Sequence, residues 1–206
     1  MKKILNIILI SCFSLTIISC GLVLKEESSD TAVVTSASKS STNYIGTYLS
    51  ACGENKQQAK VVITDSGTED VATANFHKIS HSDSGCSTVL KTIQYNHTAR
   101  AMGDTTDDDG NSVSKIYLVT VNVTATLNTS YTSSANEATW CGISDWEAGT
   151  AKDITGKDCT DSLGESFSPA LTTKYDIWYL NGTSFQKSAE STGGYPTTLD
   201  GTYTKQ

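Results

Sequence analysis

Ile116-Tyr117-Leu118-Val119-Thr120-Val121-Asn122-Val123-Thr124 is rich in β-branched and aromatic residues, and its second half alternates apolar with polar. Period two is the signature of a half-buried strand, and it places Val119, Val121 and Val123 on one face. Extended in both directions, the strand runs over residues 113–127. The same pattern recurs at 44–51, 59–64, 71–79, 88–95, 173–180, 184–187 and 198–205, separated by Gly, Asp, Asn and Ser. Asn181-Gly182 is a two-residue hairpin signal, and Asp65 to Asp70 with Gly67 reads as a second turn. Few runs carry helical periodicity, so the class is all-β. Eight strands in meander order close most economically into a single up-and-down barrel of antiparallel strands, which leaves no exposed edge.

Residues 128–171 interrupt this pattern with a long excursion holding Trp140, Cys141, Trp146 and Cys159. A connection of that length is stapled or functional. Both roles stay open, the second as a gate for a ligand or a surface for a partner. Ser144-Asp145-Trp146-Glu147 has the spacing of a capping box and predicts one or two helical turns ending at Gly149.

The chain begins with Lys2 and Lys3, an apolar run from Ile4 to Ile18, and then Ser19-Cys20-Gly21. Charged, greasy and small residues in that order make a secretory signal, and Ile17-Ile18-Ser19-Cys20 resembles a bacterial lipobox. The resemblance implies cleavage of residues 1–19, lipidation of Cys20 by diacylglyceryl and acyl chains such as palmitate, and membrane attachment through that anchor. Several acyl chains on one residue hold effectively permanently. Gly21, where inner-membrane retention would favour Asp, implies the outer membrane. Residues 20–43, rich in Ser, Thr, Ala, Lys and Glu, read as a flexible tether, and residues 44–206 as the single barrel domain.

After the signal, 22 acidic residues face 13 basic ones, a net charge of −9, and Arg100 is the only arginine. Such a chain is a poor nucleic-acid binder. Cys12 leaves with the signal and Cys20 is taken by lipid, so Cys52, Cys86, Cys141 and Cys159 remain. An even number in an oxidising compartment predicts disulfides. Of three connectivities, Cys52–Cys86 with Cys141–Cys159 is the expected one, because each pair brackets a compact segment.

Ile45-Gly46-Thr47-Tyr48 resembles the Gly-x-Trp strand that opens lipocalin-like barrels, with Tyr48 in the tryptophan position and Lys205 as the basic residue on the last strand. Asp83-Ser84-Gly85-Cys86, Asp153 to Cys159 and Gly194 to Asp200 are similar to pieces of a diffuse set of bacterial envelope lipoproteins. The resemblance covers residues 44–206 and implies a barrel that holds a small apolar ligand. Tyr48, Trp140, Trp146 and Trp178 are then the candidate ligand-binding residues.

Catalytic patterns such as Gly-x-Ser-x-Gly and His-Glu-x-x-His are missing from the sequence. His77 and His81 on one strand lie too far apart to share a metal. Asp104 to Gly110 resembles a calcium loop, but in the best register, with Gly110 at position six, position twelve falls at Ile116, so a solvated hairpin loop is expected. No cofactor is expected. Two functions follow: a non-catalytic binding module for a small hydrophobic or amphipathic molecule at the cell envelope, or a structural or protein-interaction lipoprotein whose barrel is filled by its own side chains.

Overall fold

The computed structural model describes residues 40–160 and 166–206. The lipobox with Cys20, the signal 1–19 and the tether up to residue 39 lie outside the described residues. In chain order the strands are β1 (Gly46–Leu49), β2 (Gln57–Thr68), β3 (Val71–His81), β4 (Val89–Thr106), β5 (Ser112–Leu127), β6 (Ala151–Asp153), β7 (Cys159–Thr160), β8 (Ser166–Phe167), β9 (Thr173–Asn181), β10 (Ser184–Lys187) and β11 (Gly201–Lys205). Eight of them close a barrel in the order β4-β3-β2-β1-β11-β10-β9-β5, with β4 paired back to β5. Every barrel pairing is antiparallel. The eight strands expected from sequence are these eight; β6 is an extra strand on β5, and β7 pairs only with β8.

β5 departs from the expected face assignment. Ile116, Leu118 and Thr120 are buried, Val119 and Val121 are exposed, and Val123, Ala125 and Leu127 are buried again. Val119 and Val121 therefore point outward while Val123 points in. The cause is a bulge: Asn96 pairs with Asn122 and His97 with Thr120, so Val121 is an extra residue that resets the alternation. Beyond it the neighbour of β5 also changes. Residues 114–119 pair with β9, whereas residues 124–126 pair with β6.

Antiparallel meander order puts the connections at two ends. The β2–β3, β4–β5 and β9–β10 hairpins share one, which is sealed from within. Ser40 caps a short 3-10 helix, Ser41–Tyr44, that lays the Tyr44 ring over the interior, so residues 40–43, expected in the tether, are already part of the body. Tyr44 shares its one hydroxyl hydrogen between the Trp178 carbonyl at 2.9 Å and Ser114 Oγ at 3.0 Å. Its ring meets Trp178 edge-on at 5.4 Å, and Phe185 lies 5.6 Å from Trp178 and 4.7 Å from Tyr48. Each such ring pair adds about 0.5–1.5 kcal/mol to its area burial. Gly46 is required by close approach, since a Cβ there would lie 3.1 Å from both the Lys205 stem and the Tyr48 ring.

The other end carries the β1–β2 and β3–β4 connections and the excursion, whereas the β10–β11 connection reaches back to the first end, where Asp108 N donates to the Thr197 carbonyl. Both disulfides are at the excursion end, Cys52–Cys86 and Cys141–Cys159. The capping box at Ser144 starts no helix. The helix of the excursion is instead α1 (Thr129–Glu137), capped by the Asn128 side chain on Ser130 N. The reason is Asn136, whose amide accepts from Trp146 N at 2.6 Å and donates to Trp146 O at 3.0 Å, taking both backbone groups a helix would need. The excursion buries Trp140, Trp146, Ile154 and Cys159 against Ile93, Val123, Ala125 and Leu127.

Candidate functional site

The residues expected to bind ligand fall into two clusters. Tyr48 and Trp178, both fully buried, meet through Phe185 in the sealed half. Trp140 and Trp146 stack at 5.2 Å in the excursion, where Trp146 Nε1 donates to the Trp140 carbonyl. All four side chains are buried, each pair in its own half. His77 points away from the barrel axis, opposite in face to Phe76, and among the described residues no group of His, Cys, Asp and Glu is arranged to hold a metal. The Asp104 to Gly110 stretch is a hairpin, with β4 continuing to Thr106 and Asp107 folding the loop by accepting from Asp109 N, Asn111 N and the Asn111 amide.

Between the two clusters the inward face turns polar. Asp176 and Trp178 alternate on β9, and Phe185 and Lys187 on β10, so strand geometry sends a carboxylate and an ammonium inward beside aromatic rings. Lys187 Nζ lies 3.2 Å from Asp176 Oδ2 and 3.2 Å from Glu190 Oε1. It also donates to the Ser188 carbonyl. Asp176 accepts from Trp178 Nε1, Ser188 N and Ser188 Oγ, so a carboxylate with no exposure has every lone pair engaged. Glu190 Oε2 takes Lys174 Nζ at 2.6 Å. The four charges form one chain, from the floor at Asp176 to half-buried Lys174.

The chain sets the local electrostatics. Burial works against the charged form of Lys187, but Asp176 and Glu190 outweigh it and hold its pKa above the ordinary value. Burial likewise pushes against the Glu190 carboxylate, and the ammoniums of Lys187 and Lys174 overcome it, so Glu190 titrates below the usual range. His97, inward on β4, is lowered to about 4, first by burial and then by the two lysines acting against Glu190. Its Nδ1 lies 3.2 Å from Thr120 Oγ1, while Nε2 is buried with no partner among the described residues. Phe76, Tyr95, Lys174 and Glu190 border a small cavity of about 220 Å³ beside this chain.

A half-open space of about 400 Å³ lies at the disulfide-bearing end between the β2–β3 wall and α1. Inward strand positions Gln57, Ser80 and Lys91 line it, together with Asn55, Lys56, His81, Ser82, Leu90 and Tyr131. Lys91 is buried, with its ammonium 5.7 Å from the Tyr131 ring centre and 5.5 Å from that of Trp140. Cations at that range over aromatic faces are attracted by the ring quadrupole. Its volume is at the small end of the roughly 300–1,000 Å³ typical of small-molecule sites, and its mix of one aromatic face with convergent polar groups is what such sites have.

Sequence reasoning missed these residues because the motif search looked for catalytic spacings. The usable signal was alternation: Asp176 shares the face of Trp178, Lys187 that of Phe185, and Lys91 that of Ile93 and Tyr95. A charged residue in phase with core aromatics is the pattern to look for. No protein-family model matches this sequence, and no curated protein matches it.

Proposed function

We propose that this protein is a non-catalytic binding module for a small amphipathic molecule, carried on the cell envelope by a lipid on Cys20. The observation that carries the binding part is the 400 Å³ cavity at one barrel end, lined by Tyr131 and Leu90 together with Gln57, Ser80, His81 and Lys91. A site of that shape takes a ligand with one apolar and one polar end. The anchor rests on the lipobox-like sequence and puts the barrel beside a source of such molecules, in the outer membrane by the resemblance through Gly21. Among the described residues no helix is long and apolar enough to cross a membrane.

A second reading has its own support. The sealed half is filled by Tyr44, Tyr48, Trp178 and Phe185, as in a barrel that serves as a scaffold for a protein partner. One set of measurements separates the two. Protein extracted from its native membrane is expected to release a bound small amphiphile in denaturing mass spectrometry, and its N-terminal peptide to carry acyl chains on Cys20. An empty barrel that co-purifies with another protein decides for the scaffold, and a free Cys20 removes the anchor.

A further inference from the structure

We infer that the 400 Å³ cavity selects amphiphiles with an anionic head, a carboxylate or a phosphate, held by His81, Lys56 and Lys91. The inference rests on the binding reading above and adds the chemistry of the ligand.

The first observation is the sign of the wall. The whole chain carries 22 acidic against 15 basic residues. Yet the nine residues lining this cavity include Lys56, Lys91 and His81 and not one carboxylate. Two acids adjoin the lining in sequence, Glu54, which is exposed on the β1–β2 loop, and Asp83, which is turned into its own loop. Asp83 accepts from Gly85 N, Ser87 N and Thr88 N. A concave wall of one sign concentrates the opposite sign.

The second observation is His81. It is 5% exposed, and its Nδ1 is buried with no hydrogen-bond partner among the described residues. Buried polar atoms are nearly always satisfied, so an unpartnered nitrogen on a residue of the cavity wall is one that a ligand atom can satisfy once the ring turns toward it. Lys56 Nζ donates to the Ser82 carbonyl at 3.0 Å, and an ammonium has three hydrogens, so it can serve a ligand oxygen without losing that bond. Lys91 keeps its place against the Tyr131 and Trp140 rings and adds charge behind the head.

The apolar end is set by Leu90 and Tyr131, which an inorganic anion would leave uncovered. The volume fits a single short chain or ring better than a two-chain lipid.

Calorimetric titration of the full chain at pH 7 with octanoate, octyl phosphate, octanol, octylamine and inorganic phosphate tests this. Octanoate or octyl phosphate should bind at least tenfold more tightly than octanol, with octylamine and inorganic phosphate weaker still. The stronger of the two acids identifies the source, free carboxylic acid or phosphorylated lipid. Octanol or octylamine binding as well as the acids overturns the anionic head but leaves the binding reading standing. Inorganic phosphate matching octyl phosphate overturns the apolar end. Silence from all five probes overturns the binding reading and this inference together. Lys56→Asn, at an exposed position whose left-handed backbone Asn tolerates, should lower the affinity for the acid about tenfold and leave that for octanol unchanged. His81→Leu should do the same, with near-UV circular dichroism checking the fold. An unchanged acid affinity in both variants overturns the assignment.

Discussion

Lys187 and Asp176 form an ion pair of 3.2 Å in the middle of a β-barrel, on neighbouring strands, with Asp176 showing no exposure. Such a pair gives little net stability when whole, because desolvation cancels most of the Coulomb gain, but breaking it leaves one charge stranded. Lys187→Met is therefore expected to cost about 3–5 kcal/mol in urea unfolding. Lys187→Met with Asp176→Asn should recover part of that loss. A single variant losing under about 1 kcal/mol would show that Asp176 takes up a proton or that solvent reaches it.

Acid should act in two windows. His97 titrates near 6.5 when unfolded and about 4 when folded, so the unfolded chain binds its proton first. Stability is full above pH 6.5 and falls between 6.5 and 4, by on the order of 3 kcal/mol from this group. Glu190 has the depressed pKa of a paired carboxylate, so its contribution is present above its ordinary value of 4.5 and is lost as pH falls through the folded one. Urea midpoints measured across pH should be flatter from 6.5 to 4 in His97→Gln. Identical slopes in both proteins would mean that His97 is already protonated in the folded state.

Asn136→Ala should uncouple α1 from the rest of the excursion. The side chain satisfies both backbone groups of Trp146, so its loss is expected to cost about 2 kcal/mol and to red-shift part of the tryptophan emission. Unchanged emission would show that the Trp140 stack alone holds Trp146 in place.

Much of the fold was legible because a barrel wall enforces period two, and eight runs with that period appear in the chain. What the sequence hid has physical causes. The apolar pattern of β4 breaks at Tyr95, where polar Asn96, Thr98 and Arg100 follow, yet these face outward while His97 and Ala99 stay in phase with Tyr95. Local propensity favoured a capping box at Ser144, and a side-chain amide 10 residues upstream outcompeted it. α1 has a Ser/Thr-rich sequence with one buried residue, Ala135, so it offers almost no apolar stripe to read. The candidate site was least visible of all. Lys91 and His81 become neighbours of Tyr131 only after β5 and the excursion have folded back over the barrel end.

Tyr44→Phe should cost about 1–2 kcal/mol, because the Trp178 carbonyl and Ser114 Oγ lose a buried donor while the ring packing remains. Tyr44→Ala should cost about 3–5 kcal/mol by opening a cavity over Trp178. Thermal unfolding of both reads the difference. Equal losses would place the whole contribution in the hydroxyl.

Mild reduction should act on one end only, since both disulfides lie at the end away from Tyr44. Emission from Trp140 and Trp146 is expected to shift before that from Trp178, followed in single-tryptophan variants. Simultaneous shifts would mean that the two halves unfold as one unit.

The extra residue at Val121 also bears on how the chain can change over generations. Inserting or removing a residue elsewhere along β5 would swap inside for outside in every later position and expose Ala125 and Leu127 to water. Removing Val121 itself leaves each later side chain facing as before and takes away only the bend. The two halves of the barrel thus keep separate reading frames, joined at a point that tolerates a change of length, and the disulfide-bearing end can be lengthened, shortened or re-aimed by descent without disturbing the half that holds the fold.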